Sequence, residues 1–418
     1  GLYGASKYRG LVMKYNFDEI IDRKNTNSMN TDGWRSYIFR CGPDRKFPYA
    51  DDEFIRMWVA DMDFAVASEI QEAIKERVDR QIFGYTMVSD TGYYEAFEKW
   101  CKDRYDWSFK REELVFSPGV VPAIYQLIED LAKPAGAKVI TMTPAYGYFL
   151  HACEYNGVEL AASPLKKING RFDIDFDDLE SKAGDPSAAI LLLCNPHNPT
   201  GRMWTEAELK RIAEIAEKNN LWVISDEIHC DLLRRGNRHI PMGRIMPEYP
   251  RLVTAMSASK TFNIAGLLQS NIIIRDKEER TRFKRRDKMT GSVNPLSLAA
   301  HKAAYEKGAD WLLQLQEYVD GNFRLVKEFI GENLPGAEFE IPEATYFAWI
   351  NMNSLLPDIE DLPLFFAENA GVLLEGGDRL FAGNAGGYIR LNLAMPRDVV
   401  RTGLERIAVA VRNYRGGK

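Results

Sequence analysis

The chain has 418 residues, 45% hydrophobic and 27% charged, with a formal net charge of −6 at pH 7. That is ordinary globular composition at a length suited to about two or three domains, and with no long lysine–arginine block it argues against a nucleic-acid partner. The longest aliphatic run, 188–194, is too short to cross a bilayer, residues 1–12 lack a signal-peptide core, and the five cysteines form no C-x-x-C pair; a soluble, cytoplasmic protein without a disulfide framework or metal site is expected.

In chain order, residues 67–83 carry Ile70, Ala73, Ile74 and Val78 at helical spacing, with Gly84 as the stop. A second helix is predicted over 93–105, and strands and helices alternate from there. Apolar strands are expected at 138–142, 188–193, 221–225, 252–256 and 271–274. Thr205-Glu206-Ala207-Glu208 has the pattern of a capping box, and Leu209, Ile212, Ala213 and Ala216 form one stripe behind it. The basic cluster 280–288 reads as a solvated helix face. Continuous apolar strands between amphipathic helices predict a mainly parallel sheet covered on both faces. After about residue 294 a long helical region, 299–333, precedes segments at 346–350, 365–369 and 388–393 and a final helix. The chain therefore divides into an N-terminal segment (1–60) contributing to a small domain, a large domain (61–294) and a small C-terminal α+β domain (295–418).

The chemistry concentrates at strand ends, where ligands of such sheets bind. Ser257-Ala258-Ser259-Lys260 closes the 252–256 run. A lysine at the end of a core strand is partly desolvated, which favours the neutral amine that attacks a carbonyl. With the flanking serines as phosphate ligands, the motif suggests a Schiff-base lysine beside a phosphorylated aldehyde, pyridoxal 5′-phosphate. Taken alone, it also fits a solvent-facing lysine at a strand end. Asn195-Pro196-His197-Asn198-Pro199-Thr200-Gly201 forms a fixed loop after another strand and leaves Asn198 at its mouth. Ser225-Asp226-Glu227-Ile228-His229 ends the next strand. A carboxylate there can pair with a protonated pyridine nitrogen, although Asp226 alone fits a helix N-cap and His229 alone a core histidine.

Taken in order, these three strings resemble the signature of the fold-type I pyridoxal-phosphate enzymes of the aminotransferase class I/II superfamily, and the resemblance covers nearly the whole chain. The strings Trp58-Val59-Ala60-Asp61-Met62-Asp63-Phe64, Ser117-Pro118-Gly119-Val120-Val121, Ser225–His229 and Ser259-Lys260-Thr261-Phe262-Asn263-Ile264 are similar to the cystathionine β-lyase/C–S lyase branch (the MalY/PatB type). His229 stands where aminotransferases usually carry tyrosine. Leu268 stands where many carry a phosphate-binding arginine, as is common in the lyase branch.

The resemblance implies a large α/β domain with a mostly parallel, seven-stranded sheet, a smaller α+β domain, and an active site at a homodimer interface. It implies that Lys260 binds the cofactor and shuttles the Cα proton, while Asp226 pairs with the pyridine nitrogen. Asn198 and His229 would lie near the ring oxygen, and Tyr146 would stack on the ring, with ordinary aromatic packing as its alternative. The amides of Val120 and Val121, with Ser257 and Ser259, would bind the phosphate. Tyr85 would reach a phosphate across the dimer interface and serve catalysis. Arg390, otherwise a strand arginine, would grip the substrate carboxylate, with Ala60 and Asp61 lining the substrate site. The implied activity is α,β-elimination of a thiol from an S-substituted L-cysteine. An aminotransferase and a cofactor-bound regulatory protein are the alternatives.

Overall fold

Strands that are buried on both faces must be apolar along their whole length, and the longest such runs of this chain lie side by side. In the computed structural model, which describes residues 14–291, 293–377 and 379–417, they form one seven-stranded sheet. Its strands are β1 (Leu114–Ser117), β2 (Lys138–Thr143), β3 (Leu160–Pro164), β4 (Ala188–Cys194), β5 (Trp222–Asp226), β6 (Leu252–Met256) and β7 (Ser270–Ile274), in the order β1-β7-β6-β5-β4-β2-β3. β7 runs antiparallel to both its neighbours; every other pairing is parallel. The five strands expected from sequence fall within one residue of these bounds at each end. β1 and β3 were not foreseen. Residues 1–12 lie outside the described residues, and no helix among the described residues is long and apolar enough to cross a membrane.

Alternation along the strands feeds two cores. Val139, Ile190, Leu192, Ile224, Val253 and Ile272 face helix α1 (Val120–Leu131) through its Ala123, Ile124, Leu127 and Ile128. Ile140, Leu191, Leu193 and Val223 turn to the other side and meet Leu209, Ile212, Ala213 and Ala216 of α2 (Glu206–Lys218). The capping box at the start of α2 is present, with the Thr205 hydroxyl accepting from the Glu208 amide at 3.1 Å.

Beyond the sheet, a three-stranded antiparallel sheet joins β8 (Phe347–Asn351), β9 (Glu375–Gly376) and β10 (Tyr388–Asn392) in the order β8-β10-β9. The N-terminal segment packs here: Ile55–Arg56 pairs in parallel with Val372–Leu373, and Trp34, Ile38, Phe54 and Trp58 share a buried cluster with Ala367 and Leu373. The segment 365–369 belongs to a helix, Leu362–Asn369.

Two helix predictions need correction. The 67–83 helix spans only Ser68–Val78; Gln81 adopts a left-handed φ of 66°, and Ile82, Phe83, Tyr85 and Met87 lie exposed. The 299–333 region is two helices, α3 (Pro295–Lys307) and α4 (Ala309–Asn333), broken at Gly308. A Cβ at Gly308 would fall 2.4 Å from the Phe262 ring, so the break lets two core elements touch.

Candidate active site

The register of the central strands sets Cys194 of β4 opposite Asp226 of β5, and Asp226 opposite Ala255 of β6. The loops leaving these three strands therefore start level, and they converge on a cavity of about 240 Å³. Lys260, Asp226, Asn198, His229, Tyr146, Ser259, Ala60, Val120 and Val121 all line it, with Cys194, Ile228 and Leu268.

Lys260 lies on a single helical turn, Ala258–Thr261, that follows β6. The Ser257 hydroxyl accepts from the Ser259 amide at 3.0 Å and donates to the Gln269 carbonyl at 2.7 Å, tying this turn to the start of β7. Asn263, at φ 57°, ends the turn, a left-handed conformation that asparagine tolerates. Its side chain accepts from the Met62 amide (3.0 Å) and donates to the carbonyls of Met62 (3.1 Å) and Phe64 (3.0 Å). This staple brings the Ala60 carbonyl to the lysine, whose Nζ donates to it at 2.8 Å. Burial and the positive charge of Arg390 lower the ammonium pKa to about 8, with Asp61 and Asp226 opposing.

Asp226 is 5% exposed, and its Oδ1 accepts from the Ile228 amide at 3.2 Å. Burial pushes its carboxyl up to about 7 against Lys260. Such a carboxylate calls for a cationic partner. The Asn198 Oδ1 and His229 Nδ1 are buried without a hydrogen-bond partner among the described residues. The His229 imidazole packs edge-on to Phe347, and burial with Lys260 and Arg390 holds its pKa well below the usual value, so it is neutral. Tyr146 precedes a helix, Gly147–Tyr155, and burial pushes its phenol pKa upward. At the opposite end, Val120 and Val121 open α1, where amide N–H groups have no intrahelical acceptor. Orphaned polar atoms, a carboxylate without a cation, an amine and a helix N-terminus around one cavity fit pyridoxal phosphate.

Arg390 lies in the middle of β10, 2% exposed, with its guanidinium 4.0 Å above the Phe347 ring. Its Nη2 donates to the Trp58 carbonyl at 3.1 Å, while Nε and Nη1 have no partner among the described residues. Those unpartnered N–H groups are open to a carboxylate. Asn392, two residues on, donates to the carbonyls of Val59 (2.7 Å) and Asp61 (2.6 Å). The strap 58–64 is thus held by its carbonyls from both sides.

Three expected residues stand elsewhere. The Asp61 carboxylate is forked by Arg23 at 2.7 and 3.0 Å and is not part of the cavity wall. The Ser257 hydroxyl is committed to the turn it caps. Tyr85 is fully exposed on the 79–90 segment, away from the cavity of its own chain. Sequence reasoning missed Arg23, Asn392, Tyr346, whose buried hydroxyl has no partner, and Glu375, which faces Arg390 across β9–β10. Asn263 was quoted without a role. Asn392's place two residues from Arg390 on one strand face was the available signal.

Residues 53–407 match the family described as aminotransferase class I and II, and the chain belongs to it. Lyases are among the members of that family to which it is similar. It is 35% identical over 399 residues to cystathionine beta-lyase PatB of Bacillus subtilis (strain 168), covering 95% of this chain and 100% of the relative. A solved PLP-bound C-S lyase from Staphylococcus hominis is 44% identical, with a TM-score of 0.90 over 96% of this chain and 99% of the other. Cystalysin from Treponema denticola, solved with pyridoxal 5′-phosphate, is 33% identical with a TM-score of 0.89 over 96% and 100%.

Proposed function

We propose that this chain is a pyridoxal-phosphate-dependent C–S lyase that eliminates a thiol from S-substituted L-cysteines such as L-cystathionine, giving pyruvate and ammonia. The observation that carries the reading is the convergence of Lys260, Asp226 and the orphaned Asn198 and His229 on one cavity, with the open edge of Arg390 held beside it by the 58–64 strap. Bound pyridoxal phosphate supplies the sink for the electron pair of the Cα–H bond. The chain's residues do the rest. Lys260 holds the cofactor and, released as an amine, takes the Cα proton; a pKa lowered to about 8 puts the free base within reach near neutral pH. Asp226 supplies the counter-charge for the ring nitrogen, and Tyr146 covers the ring. Asn198 and neutral His229 would bond its ring oxygen, and the amides of Val120 and Val121, with the Ser259 hydroxyl, would hold the phosphate. Arg390 fixes the substrate carboxylate and hence the direction of the Cα–H bond. The pair left at Cα would then form the Cα=Cβ bond as Cβ–S breaks with its pair on sulfur; the thiolate would take up the proton Lys260 removed, and water would hydrolyse the released enamine to pyruvate and ammonia.

The reading includes a homodimer whose interface covers Ile82, Phe83 and Met87 and brings Tyr85 to the partner's cofactor phosphate. It also includes the domain division 1–60, 61–294 and 295–418. Purified protein with cofactor, given L-cystathionine, L-cysteine, or L-alanine with 2-oxoglutarate, tests the activity. Pyruvate release from the sulfur substrates supports elimination. Brisk amino transfer with no pyruvate from any S-substituted cysteine replaces it with the aminotransferase reading.

A further inference from the structure

A second buried ionisable group lies beside Arg390 on the neighbouring strand. Glu375 of β9 is the direct cross-strand partner of Arg390, and each is 2% exposed. Among the described residues, Glu375 Oε1 and Arg390 Nε and Nη1 are all buried without a hydrogen-bond partner, and the two side chains act on one another through charge alone. A carboxylate and a guanidinium lie side by side with their mutual bonds unmade, at the position where a substrate carboxylate is to be received.

Glu375 is also within reach of solvent protons. A second cleft, of about 360 Å³, approaches it from the small-domain side, lined by Tyr37, Arg40, Glu360, Asp361, Glu375 and Arg379. Arg379 is turned away: its guanidinium is forked on Asp361 and donates to the Ile38 carbonyl at 2.7 Å. Tyr37 lines this cleft and Tyr146 the cofactor cavity; both phenols feel the charge of Glu375 and are held neutral by burial. Arg390, its cross-strand partner, is therefore the first cation facing Glu375, with Arg379 a weaker influence.

Building on the assignment of Arg390 to the substrate carboxylate, we propose that Glu375 gates that arginine by protonation. Neutral, it leaves the guanidinium to the substrate; ionised, it competes for it, and binding then requires one proton from solvent through the Tyr37 cleft. Glu375 acts on substrate only through Arg390 and is a positioning residue. Burial raises its carboxyl to about 8, with Arg390 and Arg379 opposing. The gate is therefore open below that pH and closes above it. Affinity for any carboxylate ligand falls as pH rises through the transition, by up to about tenfold per pH unit, because one proton is linked to binding.

Propionate, a carboxylate with no amino group to react, is the probe. Its inhibition constant against L-cystathionine is measured between about pH 7 and 9.5 for the cofactor-loaded wild type, Glu375→Gln and Arg390→Ala. The wild-type constant is expected to rise above about pH 8 and the Glu375→Gln constant to stay flat. Calorimetry in two buffers of different ionisation enthalpy should show proton uptake on propionate binding at high pH in the wild type alone. The same slope and the same uptake in both proteins would overturn the gate while leaving Arg390 as the carboxylate site. Propionate that fails to compete, or an unchanged constant in Arg390→Ala, would remove the carboxylate assignment and the gate with it. Should Glu375→Gln not fold, Glu375→Asp decides: a shorter carboxylate, farther from Arg390, must move the midpoint, and an unmoved midpoint overturns the proposal.

Discussion

Replacing Arg390 by alanine is expected to lower kcat/KM for pyruvate release from L-cystathionine by about 2–4 kcal/mol, the range for truncating one side of a buried charge pair. At 1.36 kcal/mol per tenfold, that is about 30- to 1,000-fold. The figure follows from the bonding at the site. Nη2 spends one of its two N–H groups on the Trp58 carbonyl, and the other donors, Nε and Nη1 among them, are unpartnered and open to the substrate. Each hydrogen bond to a charged group nets about 1.5–3 kcal/mol, and water entering the emptied space returns part of the sum. Lysine at this position keeps the charge but not the fork, and should recover about half of the loss. The fold should survive, because Glu375, with its carboxyl raised to about 8, is neutral near pH 7 and loses its neighbour without becoming a bare buried charge. Steady-state kinetics with a lactate dehydrogenase-coupled assay, alongside thermal melts of both proteins, gives the comparison. A folded Arg390→Ala protein with kcat/KM within about threefold of wild type would refute the reasoning.

Borohydride reduction of cofactor-loaded protein should place the added mass on Lys260, and Lys260→Ala should lose turnover by about a thousandfold or more; an adduct on another lysine sinks the assignment. Asp226→Ala should keep the fold but retain cofactor poorly and exchange the Cα proton of L-alanine far more slowly, and an unchanged exchange rate by NMR would exclude its role. Mixing Tyr85→Phe with Lys260→Ala protein tests the shared site: hybrid dimers carrying one intact site should regain activity that neither parent shows, and no regain would contradict the interface. His301 is buried with its pKa lowered to about 4, so its unfolded state alone takes a proton between about pH 6.5 and 4. Stability through this group is full above about pH 6.5 and is lost as pH falls; at pH 5 the loss is about 2 kcal/mol. Denaturation of wild type and His301→Gln should show their stability gap narrowing by that amount from about pH 7.5 to 5.

The strands nearest the chemistry were legible because burial on both faces leaves no room for polar residues, as 188–193 and 252–256 show. Their direction was not. β7, as apolar as the parallel strands of the sheet, turns back against β6 and also runs antiparallel to β1, far back in the chain. The 67–83 helix was drawn too long because Ile82 and Phe83 continue its apolar stripe, and a sequence does not say whether an apolar residue packs on its own chain. Gly308 passed as helical since one glycine costs only about 1 kcal/mol there; the ring of Phe262 that requires it belongs to a distant turn. Lys260, Asp226, Asn198 and Arg390 came from contiguous motifs. Arg23 and Glu375 stand in no motif, and their partners are set by tertiary approach alone.

The carbonyl-held strap has a metric consequence. Arg390 is anchored at the Trp58 carbonyl and Lys260 at the Ala60 carbonyl, two peptide units apart. Two residues of backbone span at most about 7 Å. A single inserted or deleted residue between them would shift one anchor by about 3.3 Å, beyond hydrogen-bond reach, whereas changing the side chain of Val59 leaves the spacing alone. The interval between the group that grips a carboxylate and the group that moves a proton is thereby a property of the main chain.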